Sequence, residues 1–135
     1  MKYLELLGRI LFSIIFLKTI QGHFTSGYVG YAASTGVPLA SVMVPLSGVI
    51  AILGALSIIL GYKGKLGAWL IVIFLIPVTF FMHNFWTVSD PMAAMSQAVS
   101  FWKNLSMLGG ALIITYFGSG PVSIDSWMKS RKKPS

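Results

Sequence analysis

Residues 42–82 read VMVPLSGVIAILGALSIILGYKGKLGAWLIVIFLIPVTFFM, two apolar runs joined by a short basic segment. Each run is close to the roughly 20 apolar residues that a helix needs to cross the hydrocarbon core of a bilayer. The joining segment, GYKGKLG at residues 61–67, is too short for any arrangement except two antiparallel neighbours. Backbone polar groups in lipid must be satisfied within their own segment, so both runs are predicted to be membrane helices.

Two further apolar runs lie on either side of this pair. We predict four spans at about residues 4–24, 42–60, 66–85 and 101–117, within a single domain over residues 1–135. Only 10% of the side chains are charged, whereas soluble domains have about 25%. The expected fold class is all-α: a membrane-embedded four-helix antiparallel bundle with short interfacial helices in the outer connections.

Positive charge is concentrated at the N-terminus, the middle connection and the basic tail at residues 125–135. These three places share one side of such a bundle, and cytoplasmic loops carry an excess of Lys and Arg. Both termini are therefore predicted to be cytoplasmic, in an inner or plasma membrane protein surrounded by membrane lipids. The net charge of +7 also fits nucleic-acid binding. Topology explains the cations better, so no nucleic-acid partner is expected.

Several polar side chains fall at one depth, near the outer ends of the predicted spans. His23 ends the first span and His83 ends the third. The group comprises His23, His83, Asn84, Trp86, Lys103 and Asn104. Helical bundles build ligand sites from facing side chains of this kind. Two interpretations remain open: a ligand pocket at the outer mouth, or helix capping with hydrogen bonds to headgroups and water.

Arg9 lies inside the first span, where a charge is costly unless it is paired. Glu5, one turn earlier, and Asp125 are the only acidic residues on that side of the predicted bundle. We predict a structural ion pair of Arg9 with one or both of them.

The sequence offers no chemistry of its own. It has no cysteine, no phosphate-binding loop, no pair of acid–base carboxylates and no nucleophile elbow. Asp90 is the only carboxylate near the two histidines, while zinc usually takes three or four protein ligands. We therefore predict no catalytic residue, no metal site and no covalently bound cofactor.

Stretches along most of the chain resemble the DoxX family of small membrane proteins. In order they are GRILFSIIFL, GHF, GVPLASVMVPLSG, LGALSIILGYKGKLGAWL, FLIPVTFFMHNFW, FWKNLSMLGG and GSGPVSID. The resemblance implies a four-helix bundle linked to quinone-dependent oxidoreductase assemblies. One departure is PLSG at residues 45–48, where many relatives carry a glutamate. Proton-coupled chemistry at that position is therefore in doubt.

Three functions are open as hypotheses. The first is an accessory membrane subunit, not a stand-alone enzyme, that binds a quinone or lipid-like molecule for a membrane or extracytoplasmic redox partner. The second is a scaffold or assembly factor without ligand chemistry. It is favoured by the small residues Ser47, Ala51 and Ala55, whose spacing lets helices approach closely in lipid. The third is a small-solute transporter, which needs a homo-oligomer because four helices enclose little space.

Overall fold

The computed structural model describes residues 1–134, and its regular structure is helical throughout that range. The long helices are α1 (Lys2–Thr19), α3 (Ala40–Leu60), α4 (Gly64–Met82) and α5 (Pro91–Phe117). The short helices are α2 (Ser26–Ser34) and α6 (Ile124–Lys132), and 3-10 turns cover Ile20–Phe24 and Phe85–Thr87. The all-α prediction is confirmed. The last residue of the predicted basic tail, 135, lies outside the described residues.

The two most apolar helices, α3 and α4, form the centre of the molecule. α1 packs against α3, and α5 packs against α4. One apolar core joins all four long helices, through Phe16 of α1, Ala55 of α3, Leu75 of α4 and Ala111 of α5. Burial of these side chains therefore couples helices that are far apart in sequence.

Glycines make the closest approach between α3 and α4. A Cβ added to Gly54 would stand 2.8 Å from the carbonyl oxygen of Gly67, closer than Cβ atoms come to other heavy atoms. Close backbone approach of this kind is a main source of helix association in lipid. Ser47, Ala51 and Ala55 were predicted to let α3 approach a neighbouring helix closely. Ala51 and Ala55 are fully buried, as this predicts, whereas Ser47 lines a cavity.

A short turn connects α3 to α4 and makes them antiparallel. Gly61 ends α3 at φ 65° and donates its N–H to the Ile58 carbonyl, while the Tyr62 N–H reaches back to Ser57. This pair of hydrogen bonds is a Schellman motif, which glycine favours because it has no Cβ. Lys63 follows at φ 52°, a conformation that is uncommon for residues other than glycine.

The polar connections differ from the prediction at both ends of α5. α5 starts at Pro91, well before the predicted span, and Asp90 caps it by accepting the Ala93 N–H at 2.9 Å. The region before residue 101 is therefore the first part of one long helix. Beyond α5, much of the basic tail forms α6, whose N-cap Ser123 accepts the Ser126 N–H at 3.1 Å.

Among the described residues, two segments are long and apolar enough to cross a membrane by length and composition, Ala40–Leu60 and Gly64–Thr87. Large apolar side chains stand exposed around the outside of the long helices, including Leu11, Leu53 and Phe80. Extended apolar surfaces mark contact with a membrane or with another protein.

The molecule has two polar ends, which we name by their buried residues. The Arg9 end contains the start of α1, the α3–α4 turn and the α5–α6 connection. The His23 end contains the 3-10 turn after α1, together with α2, the start of α3 and the end of α4.

Candidate functional site

A cavity of about 320 Å³ lies at the His23 end, between α2, α3 and α4. Its walls come from the first turns of α3, the last turns of α4 and the Val37–Pro38 connection, and they are almost entirely apolar. Polar side chains enter the lining at His23, Tyr28 and Ser47. The Ser47 hydroxyl already donates to the Val44 carbonyl at 2.7 Å.

His23 is fixed in this wall by close packing. Its side chain is only 4% exposed, and its ring centroid lies 4.8 Å from that of Tyr28 and 5.5 Å from that of Phe74. Its Cβ rests against α3 at Gly48, where an added Cβ would lie only 2.8 Å away. The 3-10 turn Ile20–Phe24 puts His23 at this point of contact.

Neither ring nitrogen of His23 has a hydrogen-bond partner among the described residues. Backbone carbonyls at Thr19 and Ile20 lie nearby but do not meet hydrogen-bond geometry. A buried polar group left unpaired costs about 1–3 kcal/mol. His23 is therefore a buried imidazole in the wall of the cavity, and its hydrogen-bonding capacity is unused among the described residues.

His83, the other histidine, faces α5 instead. Its Nδ1 lies 2.8 Å from Oε1 of Gln97, and Nε2 of Gln97 donates to the Tyr31 hydroxyl at 3.3 Å. That hydroxyl donates in turn to the Met82 carbonyl at 3.3 Å. An amide oxygen only accepts, so this arrangement needs the proton of His83 on Nδ1. The resulting chain of hydrogen bonds ties α2, α4 and α5 together.

The other residues of the predicted outer pocket also lie away from the cavity. They are Asn84, Trp86, Lys103 and Asn104. Trp86 is 56% exposed and packs edge-on against Phe101 at 5.7 Å between ring centroids. Lys103 is exposed, whereas Asn104 is buried on α5. Of the six predicted residues, only His23 lines the cavity.

Sequence reasoning missed several residues that shape these sites. Gly48 supports His23, and Gln97 and Tyr31 bond the other histidine and its helix. The sequence feature that could have indicated Gln97 is an amide side chain among the apolar residues of early α5. In the structure this amide is within reach of the histidine at the end of α4. For Gly48, the sequence gives no indication of this contact beyond the small size of glycine.

Arg9 is the buried charge at the other end of the molecule. It is 3% exposed, and its Nη1 donates to the carbonyls of Ile58 at 2.9 Å and Ile59 at 3.1 Å, while Nη2 donates to the Val122 carbonyl. Its Nε lies 2.9 Å from Glu5 Oε1 in an ion pair that lacks hydrogen-bond geometry. The two isoleucine carbonyls belong to the last turn of α3, where carbonyls lack intrahelical donors and the helix dipole is negative.

Asp125, the second partner predicted for Arg9, lies at the same end but forms no ion pair with it among the described residues. Its carboxylate accepts the N–H groups of Lys63 at 2.8 Å and Gly64 at 3.2 Å, and the Ser119 hydroxyl at 2.7 Å. Asp125 therefore fixes the α3–α4 turn against α6, and the acidic partner of Arg9 is Glu5 alone.

The protonation of Asp125 reflects two opposing effects. Burial on its own would raise the pKa of this carboxyl. The hydrogen bonds from Ser119 and from the two backbone N–H groups, together with the charge of Lys129, outweigh burial and lower the pKa. The carboxylate is therefore ionised at neutral pH.

The cavity at the His23 end has few groups for catalysis. Within residues 1–134 no three histidine, cysteine or carboxylate side chains come together as metal ligands. The cavity lining holds one imidazole and no carboxylate. The cavity is an extended apolar wall with the side chains of His23, Tyr28 and Ser47 as its polar members.

Comparison with known proteins shows relatives along nearly the whole chain. The model of the SURF4 family matches residues 1–132. The inner membrane protein YqjF of Escherichia coli is 31% identical over 139 residues, covering 97% of this chain and 99% of that protein. The inner membrane protein YphA of Escherichia coli is 28% identical over 99 residues, covering 73% and 70%. No solved structure matches the chain significantly.

A eukaryotic relative extends this group. The Surfeit locus protein 4 homolog of Drosophila melanogaster is 29% identical over 129 residues, which cover 94% of this chain but only 42% of the fly protein. The chain thus spans less than half the length of that relative.

These matches correct the resemblance to DoxX, because the family model that covers the chain is that of SURF4. Short apolar stretches are weak family markers, since lipid restricts the composition of every membrane helix. The link to quinone-dependent oxidoreductases depended on that resemblance and loses its basis.

Proposed function

As a member of the SURF4 family this chain is a membrane protein, and we propose that it is a non-catalytic one that holds a lipid-like molecule in the His23 cavity. The observation that carries the proposal is the unpartnered His23 imidazole, buried beside a cavity of about 320 Å³. Ligand pockets of this size and polarity orient their ligand with a few polar groups.

The proposal includes a position in the bilayer. All four long helices cross it, and the Arg9 end faces the cytoplasm. Support comes from the exposed apolar side chains around the helices and from the cations near the Arg9 end, which follow the positive-inside bias. The His23 cavity then lies toward the outer leaflet.

The ligand has an apolar body and one polar group that bonds His23. Cavity residues on both α3 and α4 are exposed on the outside of the molecule, including Met43, Leu46 and Ile73. A molecule dissolved in the bilayer therefore enters from the side, between these helices. A lipid hydroxyl or carbonyl satisfies the imidazole, and a quinone is one member of this chemical class.

The test is the identity of what copurifies with the full chain in a mild detergent, measured by native mass spectrometry and by analysis of the organic extract. We expect one bound lipid-class molecule per chain. His23→Phe keeps the ring packing but removes the hydrogen bond, and should reduce occupancy about tenfold, since one such bond contributes about 1–1.5 kcal/mol. Ser47→Phe places a large ring in the cavity and should lower occupancy at least as much.

The matched control is His83→Phe, which removes the other histidine outside the cavity and should leave occupancy unchanged. If the chain carries no molecule besides detergent, or if all three variants retain it equally, the proposal is wrong. A protein without a ligand would leave the scaffold hypothesis as the better explanation.

A further inference from the structure

A second hollow, of about 720 Å³, lies at the Arg9 end between α6 and the start of α4. We call it the lysine groove, because its lining includes Lys63, Lys65, Lys129 and Lys132. We propose that the lysine groove binds the phosphate-bearing headgroup of an anionic phospholipid. The site is separate from the His23 cavity and does not depend on it.

The four lysines outnumber the single carboxylate of the groove, Asp125, whose charge interacts with that of Lys129. Within residues 1–134 none of the four lysines forms an ion pair within 4.0 Å. The one carboxylate in the groove, Asp125, is already occupied by two backbone N–H groups and a serine hydroxyl. Cations gathered in one concave site attract an anion more strongly than isolated surface charges do.

Part of the groove is held in place by backbone geometry. The stem of Lys65 packs on Gly118, where an added Cβ would come within 3.1 Å of Lys65 Cε. The backbone at Lys63 is fixed by its hydrogen bond to Asp125 at 2.8 Å. A bound headgroup therefore requires less ordering of the Lys65 stem than a free surface lysine would need.

Helix α6 separates the cations of the tail into two sets. Lys129 and Lys132 lie on the face that lines the groove. Arg131 stacks over the Trp127 ring at 4.4 Å, and neither Arg131 nor Lys133 lines the groove. The tail thus contains two pairs of cations of equal charge in different places.

An apolar wall favours a lipid over free phosphate. Leu66 and Phe117 line the same groove and are 57% and 75% exposed. A soluble anion gains nothing from these side chains, whereas the acyl chain next to a headgroup covers them. Basic pockets beside membrane helices bind anionic headgroups in this way.

The experiment titrates the full chain in detergent with phosphatidylglycerol or phosphatidylcholine, and measures the bound fraction by native mass spectrometry. The groove variant is Lys129→Gln with Lys132→Gln, and its control of equal charge is Arg131→Gln with Lys133→Gln. Phosphatidylglycerol should bind the unmodified chain and phosphatidylcholine should not. The groove variant should weaken binding about 30-fold, or about fivefold per cation, and the control by less than about threefold.

Competition with inorganic phosphate separates the two sources of the anion. For a lipid site, millimolar phosphate should leave bound phosphatidylglycerol in place. Displacement by phosphate would overturn the lipid assignment in favour of a free-phosphate site. If the groove and control variants lost the same affinity for phosphatidylglycerol, the lipid would be attracted by the charge of the whole tail. That result would overturn the groove as the binding site.

Discussion

Replacing Arg9 by leucine should lower the free energy of unfolding by about 3–5 kcal/mol. The side chain donates three hydrogen bonds from a buried cation, which at about 1.5–3 kcal/mol each sum to about 5–9 kcal/mol. Part of this free energy is recovered in the leucine variant. The Ile58 carbonyl keeps the Gly61 N–H, the Glu5 side chain is 36% exposed although its Oε2 atom is buried, and leucine restores apolar contact.

The assay is unfolding of the purified chain in mixed micelles with increasing denaturing detergent, followed by the fluorescence of its four tryptophans. Arg9→Lys should lose most of the same stability, because a single ammonium cannot replace the guanidinium fork. Lys18→Leu is the control, since Lys18 is an exposed cation on the same helix, and it should change stability by less than about 0.5 kcal/mol. An Arg9→Leu protein within about 0.5 kcal/mol of the unmodified chain would refute the reasoning.

Two further predictions concern the same end of the molecule. Gly61→Ala should destabilise the chain by at least about 1 kcal/mol, because φ is 65° and the new Cβ would overlap the Ser123 Cβ. The control is Gly109→Ala, in a helix with open space around it, which should be neutral or stabilising by up to about 1 kcal/mol in the same assay. If both variants lost the same free energy of unfolding, the contact at Gly61 would be contradicted. The lowered pKa of Asp125 means that its ionised form contributes stability above the unfolded pKa of about 3.9, which is lost as pH falls through the folded pKa. Unfolding curves between pH 5 and 3 should therefore show a steeper loss for the unmodified chain than for Asp125→Asn, and parallel curves would rule out this contribution.

Local rules predicted the features that depend on neighbouring residues. The α3–α4 pair follows from two apolar runs and a turn too short for other arrangements, and Gly61 supplies the left-handed residue that the turn needs. The start of α5 at Asp90 and Pro91 follows capping rules that depend on adjacent residues only, although the span was predicted to begin near residue 101. Arg9 and Glu5 are one turn apart, so helix geometry alone brings them together.

Features that depend on how helices rotate against each other were not predictable in the same way. Sequence gives the depth of His23 and His83 along their helices but not the neighbours that they face. One histidine packs on α3 at Gly48, whereas the other is taken by Gln97 of α5. Helix α6 was not predicted, because the cations of the tail were interpreted mainly as a topology signal, although Ser123 is an N-cap residue type.

The three carbonyls that surround Arg9 also set an order of events during synthesis. Glu5 is present as soon as α1 forms, the first α3 carbonyl follows 49 residues after Arg9, and Val122 follows 113 residues after it. At about 5–20 residues per second, the last of these partners emerges about 6–23 s after the arginine. Until the α3 carbonyls have been made, Glu5 is the one of these partners that is present. During synthesis the ion pair within the first helix therefore precedes every other contact of Arg9 described above.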